Sequence, residues 1–178
     1  DPFSGAAGRY TLLVGGGYFV TSAGLGTDFG GGGTGDDVLD GGMGRDSVSY
    51  NDIRDGGVNI DLEAGTATGA GGNDTISNFE NAYGSNQDDT ITGDAGNNTL
   101  DGEKGDDVIN AGKGNDQVYG GYGDDTLDGG DGKDWVRYND IKGGVNVDLD
   151  AGTVTGAGGN DTVSNFENVY GSHGDDTI

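Results

Sequence analysis

Aspartate recurs every nine residues over long stretches of this chain, each time after a glycine-rich segment. The clearest copy runs from Gly120 to Asp128 and reads Gly-Gly-Tyr-Gly-Asp-Asp-Thr-Leu-Asp. Glycine fills positions one, two and four, aspartate position six, and an aliphatic residue position eight. We count twelve such units, whose sixth positions are Asp28, Asp37, Asp46, Asp74, Asp89, Asn98, Asp107, Asp116, Asp125, Asp134, Asp161 and Asp176. A period this regular predicts one small structural unit that is stacked many times.

The residue types of the unit suit a hard cation. Glycine permits backbone angles that a Cβ forbids, so the first part of the unit can turn tightly and point peptide carbonyls inward. The aspartate adds an anionic oxygen, and Ca²⁺ accepts six to eight such oxygens with loose geometry. Zinc sites need cysteine and histidine, but the chain has no Cys and one His. Magnesium demands a compact octahedron and keeps its waters, and no EF-hand pattern is present, so the sequence favours calcium.

Positions seven to nine of each unit predict a three-residue strand whose middle side chain faces inward. Two units then make one coil, with a turn at each of its two edges. Turns that are two units apart in sequence should lie directly above one another. We therefore expect Asp89, Asp107 and Asp125 along one edge. We expect Asn98, Asp116 and Asp134 along the other.

Composition narrows the classes of protein. The net charge is −24, which disfavours nucleic acid as a partner because phosphates would be repelled. No stretch is apolar enough for a membrane span, and the absence of Cys excludes a disulfide framework. Composition alone would fit a disordered acidic segment. Of the 32 acidic residues, however, 28 are Asp, the shorter side chain that suits tight turns, which indicates positioned rather than merely solvating charge.

The units are interrupted twice by a longer insertion. Tyr50–Ile91 and Tyr138–Ile178 align over 41 positions with 33 identities when Asp55 is skipped. Each insertion contains an alternating segment that predicts a strand, at 58–62 and 145–149. We expect Asp55 to bulge outward and stacking to continue from Asp134 to Asp161, a distance of three whole units. The 15-residue spacings that end at Asp89 and Asp176 have no explanation in the nine-residue pattern.

This organisation divides the chain into six predicted segments. They are a degenerate glycine-rich segment (1–22), a first array (23–49), a longer insertion (50–83), a central six-unit array (84–137), a second insertion (138–170) and the start of a further array (171–178). Because the chain begins without Met and stops inside a unit, we expect it to be part of a larger parent chain.

The arrays Gly32–Ser49 and Gly84–Arg137 resemble hemolysin-type (RTX) calcium-binding repeats. The resemblance implies an all-β parallel β-roll, several Ca²⁺ ions between stacked turns, and type I secretion from a bacterium to the extracellular space or cell surface. It also implies that turn glycine carbonyls and position-six side chains are the ligands. Because Asn98 lacks charge and Gln87 replaces a turn glycine, the sites they border should be weaker. Carried onto this chain, the ligands are Gly33, Gly35, Asp37, Gly42, Gly44, Asp46, Asp74, Asp89, Gly96, Asn98, Gly105, Asp107, Gly112, Gly114, Asp116, Gly121, Gly123, Asp125, Gly130, Gly132, Asp134, Asp161 and Asp176.

The leading functional hypothesis is a module that folds on binding calcium outside the cell, assists secretion, and stabilises or spaces the domains of its parent chain. Its expected partners are calcium ions, the rest of that chain and, in transit, the secretion apparatus. The alternative is an adhesin or carbohydrate-contacting accessory module. We expect no enzyme activity, because the single histidine, His173, occupies a variable turn position with no nucleophile to pair with.

Overall fold

A computed structural model of the chain describes residues 11–13, 20–22 and 25–178, with the backbone alone for the stretches before residue 27. Every regular element in these described residues is a β-strand. No helix long and apolar enough to cross a membrane occurs among them. The prediction of an all-β parallel β-roll is therefore confirmed. Most of the segment 1–22 lies outside the described residues, apart from two short strands within it.

The strands are short, and most contain three residues. In chain order they are β1 Thr11–Leu13, β2 Val20–Ser22, β3 Leu25–Gly26, β4 Phe29–Gly31, β5 Val38–Asp40, β6 Met43–Gly44, β7 Ser47–Ser49, β8 Val58–Asp61, β9 Thr66–Gly69, β10 Gly72–Ser77, β11 Asn81–Tyr83, β12 Thr90–Thr92, β13 Thr99–Asp101, β14 Val108–Asn110, β15 Lys113–Gly114, β16 Gln117–Tyr119, β17 Thr126–Asp128, β18 Asp131–Gly132, β19 Trp135–Arg137, β20 Val145–Asp148, β21 Thr153–Gly156, β22 Asn160–Ser164 and β23 Asn168–Tyr170.

Successive nonapeptides of the arrays alternate between two large sheets. One sheet has eight strands in the order β1-β4-β7-β11-β13-β16-β19-β23, and the other has eleven in the order β2-β5-β10-β9-β8-β12-β14-β17-β22-β21-β20. Within an array, neighbouring strands are parallel and offset by two units, as in the pairing of Ile91 with Ile109 and of Ile109 with Leu127. The coil of two units that the sequence predicts is confirmed.

A narrow core fills the space between the two sheets. Side chains alternate between the faces of a strand, so the middle residue of each three-residue strand points inward. Leu100, Ile109, Val118 and Leu127 occupy these middle positions and are buried. The residues on either side of them face outward, as the pattern of aliphatic residues at position eight predicts.

Each insertion adds three strands to the eleven-stranded sheet and one, β11 or β23, to the eight-stranded sheet. In the first, β10 pairs in parallel with β5, β9 lies antiparallel to β10, and β8 lies antiparallel to β9. The next array resumes on β8, which pairs in parallel with β12. The second insertion repeats this arrangement with β22, β21 and β20. The first strand of each insertion thus lies two strand positions beyond the previous coil, and the next two strands fill the positions between them. As a result, Asp161 lies next to Asp125 in the stack although 36 residues separate them.

The 15-residue spacings also have a structural explanation. Between β10 and β11 the chain makes a three-residue turn, Asn78-Phe79-Glu80, in place of a longer glycine turn. Asn78 supports it with a left-handed φ of 56°, and Asn165 does the same in the second insertion with φ 57°. Asparagine tolerates this backbone region better than other residues with a Cβ. A shortened unit followed by a normal one accounts for the irregular spacing.

Candidate metal centre

Aspartates at position six form hydrogen-bonded ladders along the edge where turns lead into the eleven-stranded sheet, here called edge one. The amide of Asp89 donates to Oδ1 of Asp107 at 2.8 Å, and the amide of Asp107 donates to Oδ1 of Asp125 at 2.9 Å. Asp125 in turn donates to Oδ1 of Asp161 at 3.1 Å. Earlier in the chain, Asp37 donates to Oδ1 of Asp74 at 2.9 Å. The predicted stacking of these aspartates is present.

A second ladder runs along edge two, where turns lead into the eight-stranded sheet. Asn98 donates its amide to Oδ1 of Asp116, and Asp116 donates to Oδ1 of Asp134, each at 2.8 Å. Near the start of the chain, the amide of Asp28 donates to Oδ1 of Asp46 at 2.6 Å. The turns predicted to lie above one another are therefore brought together on this edge too.

Two glutamates continue edge two where the insertions interrupt the nonapeptides. The amide of Asp46 donates to Oε2 of Glu80 at 2.7 Å, and the amide of Asp134 donates to Oε2 of Glu167 at 2.8 Å. Sequence reasoning missed both residues because they lie outside the glycine pattern. The available signal was an acidic residue immediately before a three-residue strand, which is the place that position six has in most units of the arrays.

The second oxygens of the ladder aspartates are the chemically unusual atoms. In the part of the chain that the structure describes, several of these Oδ2 atoms are buried and accept no hydrogen bond. They belong to Asp46, Asp107, Asp116, Asp125 and Asp134. A buried carboxylate oxygen without a partner is costly, and a bound cation or a proton would remove that cost.

Burial disfavours the ionised form of these carboxylates. Burial is the largest cause that raises the pKa of Asp107 to about 8. The hydrogen bond from the amide of Asp89 lowers this pKa, and the charges of Asp125 and Asp89 raise it further. Burial likewise raises the pKa of Asp125 to about 7 and that of Asp116 to about 6. A cation beside these groups would oppose the shift, since a nearby positive charge favours the carboxylate.

The family described as RTX calcium-binding nonapeptide repeat (4 copies) matches residues 22–52, 83–118 and 111–140, which together make up half of the chain. The chain belongs to the RTX calcium-binding repeat family. No curated protein matches it. RTX membership implies Ca²⁺ binding, and the partnerless Oδ2 atoms of the ladders fit that ion, because calcium takes anionic and carbonyl oxygens together.

The glycine turns bring the backbones of stacked RTX units into close contact. Among residues 27–178, no three Asp, Glu or His side chains converge as they do in a side-chain metal cluster. Gly121 and Gly123 allow this approach of the backbones with positive φ angles of 96° and 145°. A Cβ on Gly123 would collide with the carbonyl oxygen of Gly105 in the preceding turn. Two of the predicted glycines, Gly105 and Gly123, therefore lie in close contact in adjacent stacked turns.

Position five, which the glycine–aspartate pattern leaves unspecified, forms a further ladder. The amide of Asp106 donates to Oδ1 of Asp88, and the amide of Asp124 donates to Oδ1 of Asp106, at 2.9 and 2.8 Å. These bonds are exposed and run in the opposite direction along the RTX stack from those of position six. The signal was visible, since nine of the twelve units have Asp or Asn at position five.

At the ends of the ladders the position-six side chains are satisfied by protein donors. Ser85 replaces the second turn glycine and donates its amide to Oδ2 of Asp89 at 2.6 Å and its hydroxyl to Oδ1 at 2.9 Å. Asp176 is held in the same way by Ser172. The side-chain amide of Asn98 makes two hydrogen bonds with Asp94. Its Oδ1 accepts the backbone amide of Asp94, and its Nδ2 donates to Oδ1 of Asp94. The side-chain oxygens at these RTX positions thus have hydrogen-bond partners in the protein, unlike Oδ2 of the interior aspartates.

Proposed function

We propose that this RTX chain is a calcium-dependent folding module of a larger exported protein. The observation that carries the proposal is the set of buried Oδ2 atoms without a hydrogen-bond partner, at Asp107, Asp125 and their counterparts on edge two. A stack of carboxylates around a core one side chain wide repels itself when ionised. Calcium supplies positive charge to the ladders, and the free energy of binding it becomes free energy of folding.

The proposed ligands are the interior carboxylates together with the carbonyls of the turn glycines beside them, as the family resemblance implies. Asp46 on edge two, like Asp107 and Asp125 on edge one, has its Oδ1 committed to the ladder bond. Oδ2 is the oxygen left for the ion. The number of ions then follows the number of interior turns rather than the number of aspartates.

Dependence on calcium suits export. A chain that stays unfolded where calcium is scarce and folds where it is plentiful can cross a secretion channel extended and become rigid on the outside. Type I secretion and an extracellular or cell-surface location accord with this behaviour. Once folded, the two hydrogen-bonded sheets would act as a stabilising spacer for neighbouring domains.

Circular dichroism of the chain with millimolar calcium, and again after an excess of chelator, tests the proposal. At pH 8, where deprotonation of the buried aspartates disfavours the calcium-free fold, we expect a cooperative thermal transition with β-sheet signal only in the calcium sample. Magnesium at the same concentration serves as the matched control for ionic strength and should not restore the transition. A chelated sample that melts with the same cooperativity as the calcium sample would refute the proposal.

A row of aromatic side chains on the eight-stranded sheet supports carbohydrate contact as a second candidate function. Tyr83, Asp101 and Tyr119 are direct neighbours across adjacent strands, and Arg137 is the neighbour of Tyr170. The guanidinium of Arg137 lies 5.5 Å from the ring centroid of Tyr119 and 4.8 Å from that of Tyr170. A glycan array in calcium, with Tyr119→Ser as the control variant, would decide it, and equal signals for both proteins would remove the candidate.

A further inference from the structure

The two insertions each place one tyrosine against the ladder of edge one. Tyr50 and Tyr138 are equivalent residues of the insertions, and each has 1% of its surface exposed. The hydroxyl of Tyr50 donates to Oδ2 of Asp74 at 2.6 Å. The hydroxyl of Tyr138 donates to Oδ2 of Asp161 at 2.7 Å. A contact repeated in both insertions with the same atoms is a feature of the fold.

The oxygen that receives the hydroxyl is the one that matters for calcium. In Asp74 and Asp161, as in Asp107 and Asp125, Oδ1 accepts the amide of the preceding ladder residue. Oδ2 of Asp107 and of Asp125 then accepts no hydrogen bond, whereas Oδ2 of Asp74 and of Asp161 accepts a phenol. The tyrosine satisfies the oxygen that elsewhere is left for an ion.

The strand order explains why Oδ2 of Asp74 and of Asp161 needs a partner other than an ion. Beyond Asp107 on edge one the next turn is a regular one, carrying Asp125. Beyond Asp74 the next strand in the sheet is β9, which runs antiparallel and joins β10 through a hairpin, so no further position-six aspartate follows. The same holds beyond Asp161, where β21 is antiparallel to β22. An ion at that level would lack the second turn that supplies its remaining ligands.

The tyrosines are held in place by their own backbones. The amide of Tyr50 donates to the carbonyl of Tyr83 at 3.0 Å, and the carbonyl of Tyr50 accepts the amide of Ile53 at 2.9 Å. The second insertion has the equivalent bonds of Tyr138 with Tyr170 and Ile141. Ile53 and Ile141 are buried in the core beside them. A ring fixed at both its backbone and its hydroxyl has little freedom to make way for an ion.

We propose that Tyr50 and Tyr138 close the calcium rows of edge one, so that Asp74 and Asp161 anchor each insertion to the preceding coil instead of binding calcium. This inference rests on the proposed function, since it concerns where the calcium rows end. The insertions thereby divide edge one into separate rows, one ending at Asp74 and one running from Asp89 to Asp161. In the coil beside each insertion, Oδ2 of Asp74 or Asp161 is bonded to a tyrosine hydroxyl and to no ion.

Counting bound ions in matched variants tests the inference. Native mass spectrometry and calorimetric titration with calcium are applied to the full chain, to Asp161→Asn and to Asp125→Asn. Asparagine already occupies position six at Asn98, so both variants have a precedent in the chain. We expect Asp161→Asn to bind as many ions as the unmodified chain and Asp125→Asn to bind at least one fewer. Equal losses in the two variants would overturn the inference, whereas an unmodified chain that binds no calcium would overturn the proposed function instead.

A second measurement uses the chain without a ladder substitution. A phenol proton that is buried and bonded to a carboxylate exchanges slowly, so proton NMR of the calcium-loaded chain should show two such hydroxyl signals. Tyr50→Phe and Tyr138→Phe should each remove one of them. Absence of both signals from the folded, calcium-loaded unmodified chain would mean that the ion displaces the hydroxyls, and would overturn the inference.

Discussion

The amide of Asp107 donates to Oδ1 of Asp125 at 2.9 Å, so each ladder aspartate ties its own coil to the one before it with one oxygen. The other oxygen of Asp125 is buried and accepts no hydrogen bond from the described residues. One carboxylate therefore has two separate tasks, a structural bond between coils and a binding position for a cation. Substitutions can separate the two tasks.

Replacing Asp107 by alanine should lower calcium-bound stability more than replacing Asn98 by alanine. Asp107→Ala removes both the acceptor of the Asp89 amide and the charged oxygen Oδ2. A lost acceptor alone costs about 1–3 kcal/mol, and the weakened ion adds to that. Asn98→Ala removes amide hydrogen bonds but no charge. Thermal melting across a calcium series measures the difference, and equal midpoints for the two variants would contradict the ladder arrangement.

Stability of the calcium-free chain should fall as pH rises. The pKa of Asp107 is raised by burial from 3.8 to about 8, that of Asp125 to about 7 and that of Asp116 to about 6. Between pH 4 and pH 8 the folded chain then holds more protons than the unfolded chain, so deprotonation favours unfolding. We expect the melting temperature in chelator to be highest near pH 4 and to decrease toward pH 8.

Calcium should oppose this trend. Because protons and calcium compete for the same carboxylates, calcium should raise the melting temperature more at pH 8 than at pH 4. Circular dichroism melts from pH 4 to pH 8, with and without calcium, measure both effects. A calcium-free chain that becomes more stable with rising pH would show that these aspartates are not protonated in the fold.

Glu167 should be as important to edge two as any aspartate. Its Oε2 accepts the amide of Asp134 at 2.8 Å from the short turn Asn165-Phe166-Glu167, where the longer side chain reaches across to the ladder. Glu167→Ala should destabilise the calcium-bound chain by about 1–3 kcal/mol, because a buried amide loses its acceptor. The control is Glu63→Ala, at an exposed glutamate of a turn. Chemical denaturation of both variants decides the point, and matching midpoints would place Glu167 outside the ladder.

The repeated part of the fold could be predicted from the sequence because one rule fixes it. A short strand with an inward aliphatic side chain, such as Leu127, and a turn of fixed length leave only one way to stack. The pattern therefore predicted the coil of two units, the two edges and the pairing of Asp107 with Asp89 and Asp125. It also predicted the inserted strands, observed as β8 and β20.

The insertions were less predictable for physical reasons. Alternating side chains reveal a strand but not its direction, so the antiparallel placement of β9 and β21 had no sequence signal. Glu80 and Glu167 join the ladder through short turns that break the nine-residue count. The contact of Tyr50 with Asp74 spans 24 residues and depends on the strand order of the insertion, which periodicity does not contain.

Two glycines at the same position of different units should respond differently to alanine. Gly123 has φ 145°, and a Cβ there would collide with the carbonyl oxygen of Gly105, whereas Gly96 has no left-handed φ and its Cβ would meet only Oδ1 of Asp94 at 3.1 Å. Alanine disfavours the left-handed region, and the collision would separate the turns of Asp107 and Asp125.

Gly123→Ala should therefore raise the calcium concentration needed for folding by at least tenfold, which corresponds to about 1.4 kcal/mol. Gly96→Ala should change it by less than about threefold. Both variants remove one glycine and add one methyl group, so they are equal in their effect on the unfolded chain. Calcium titrations followed by circular dichroism compare them directly. Equal shifts would mean that position four matters for chain entropy alone and that the close approach of carbonyls between stacked turns is not required for calcium binding.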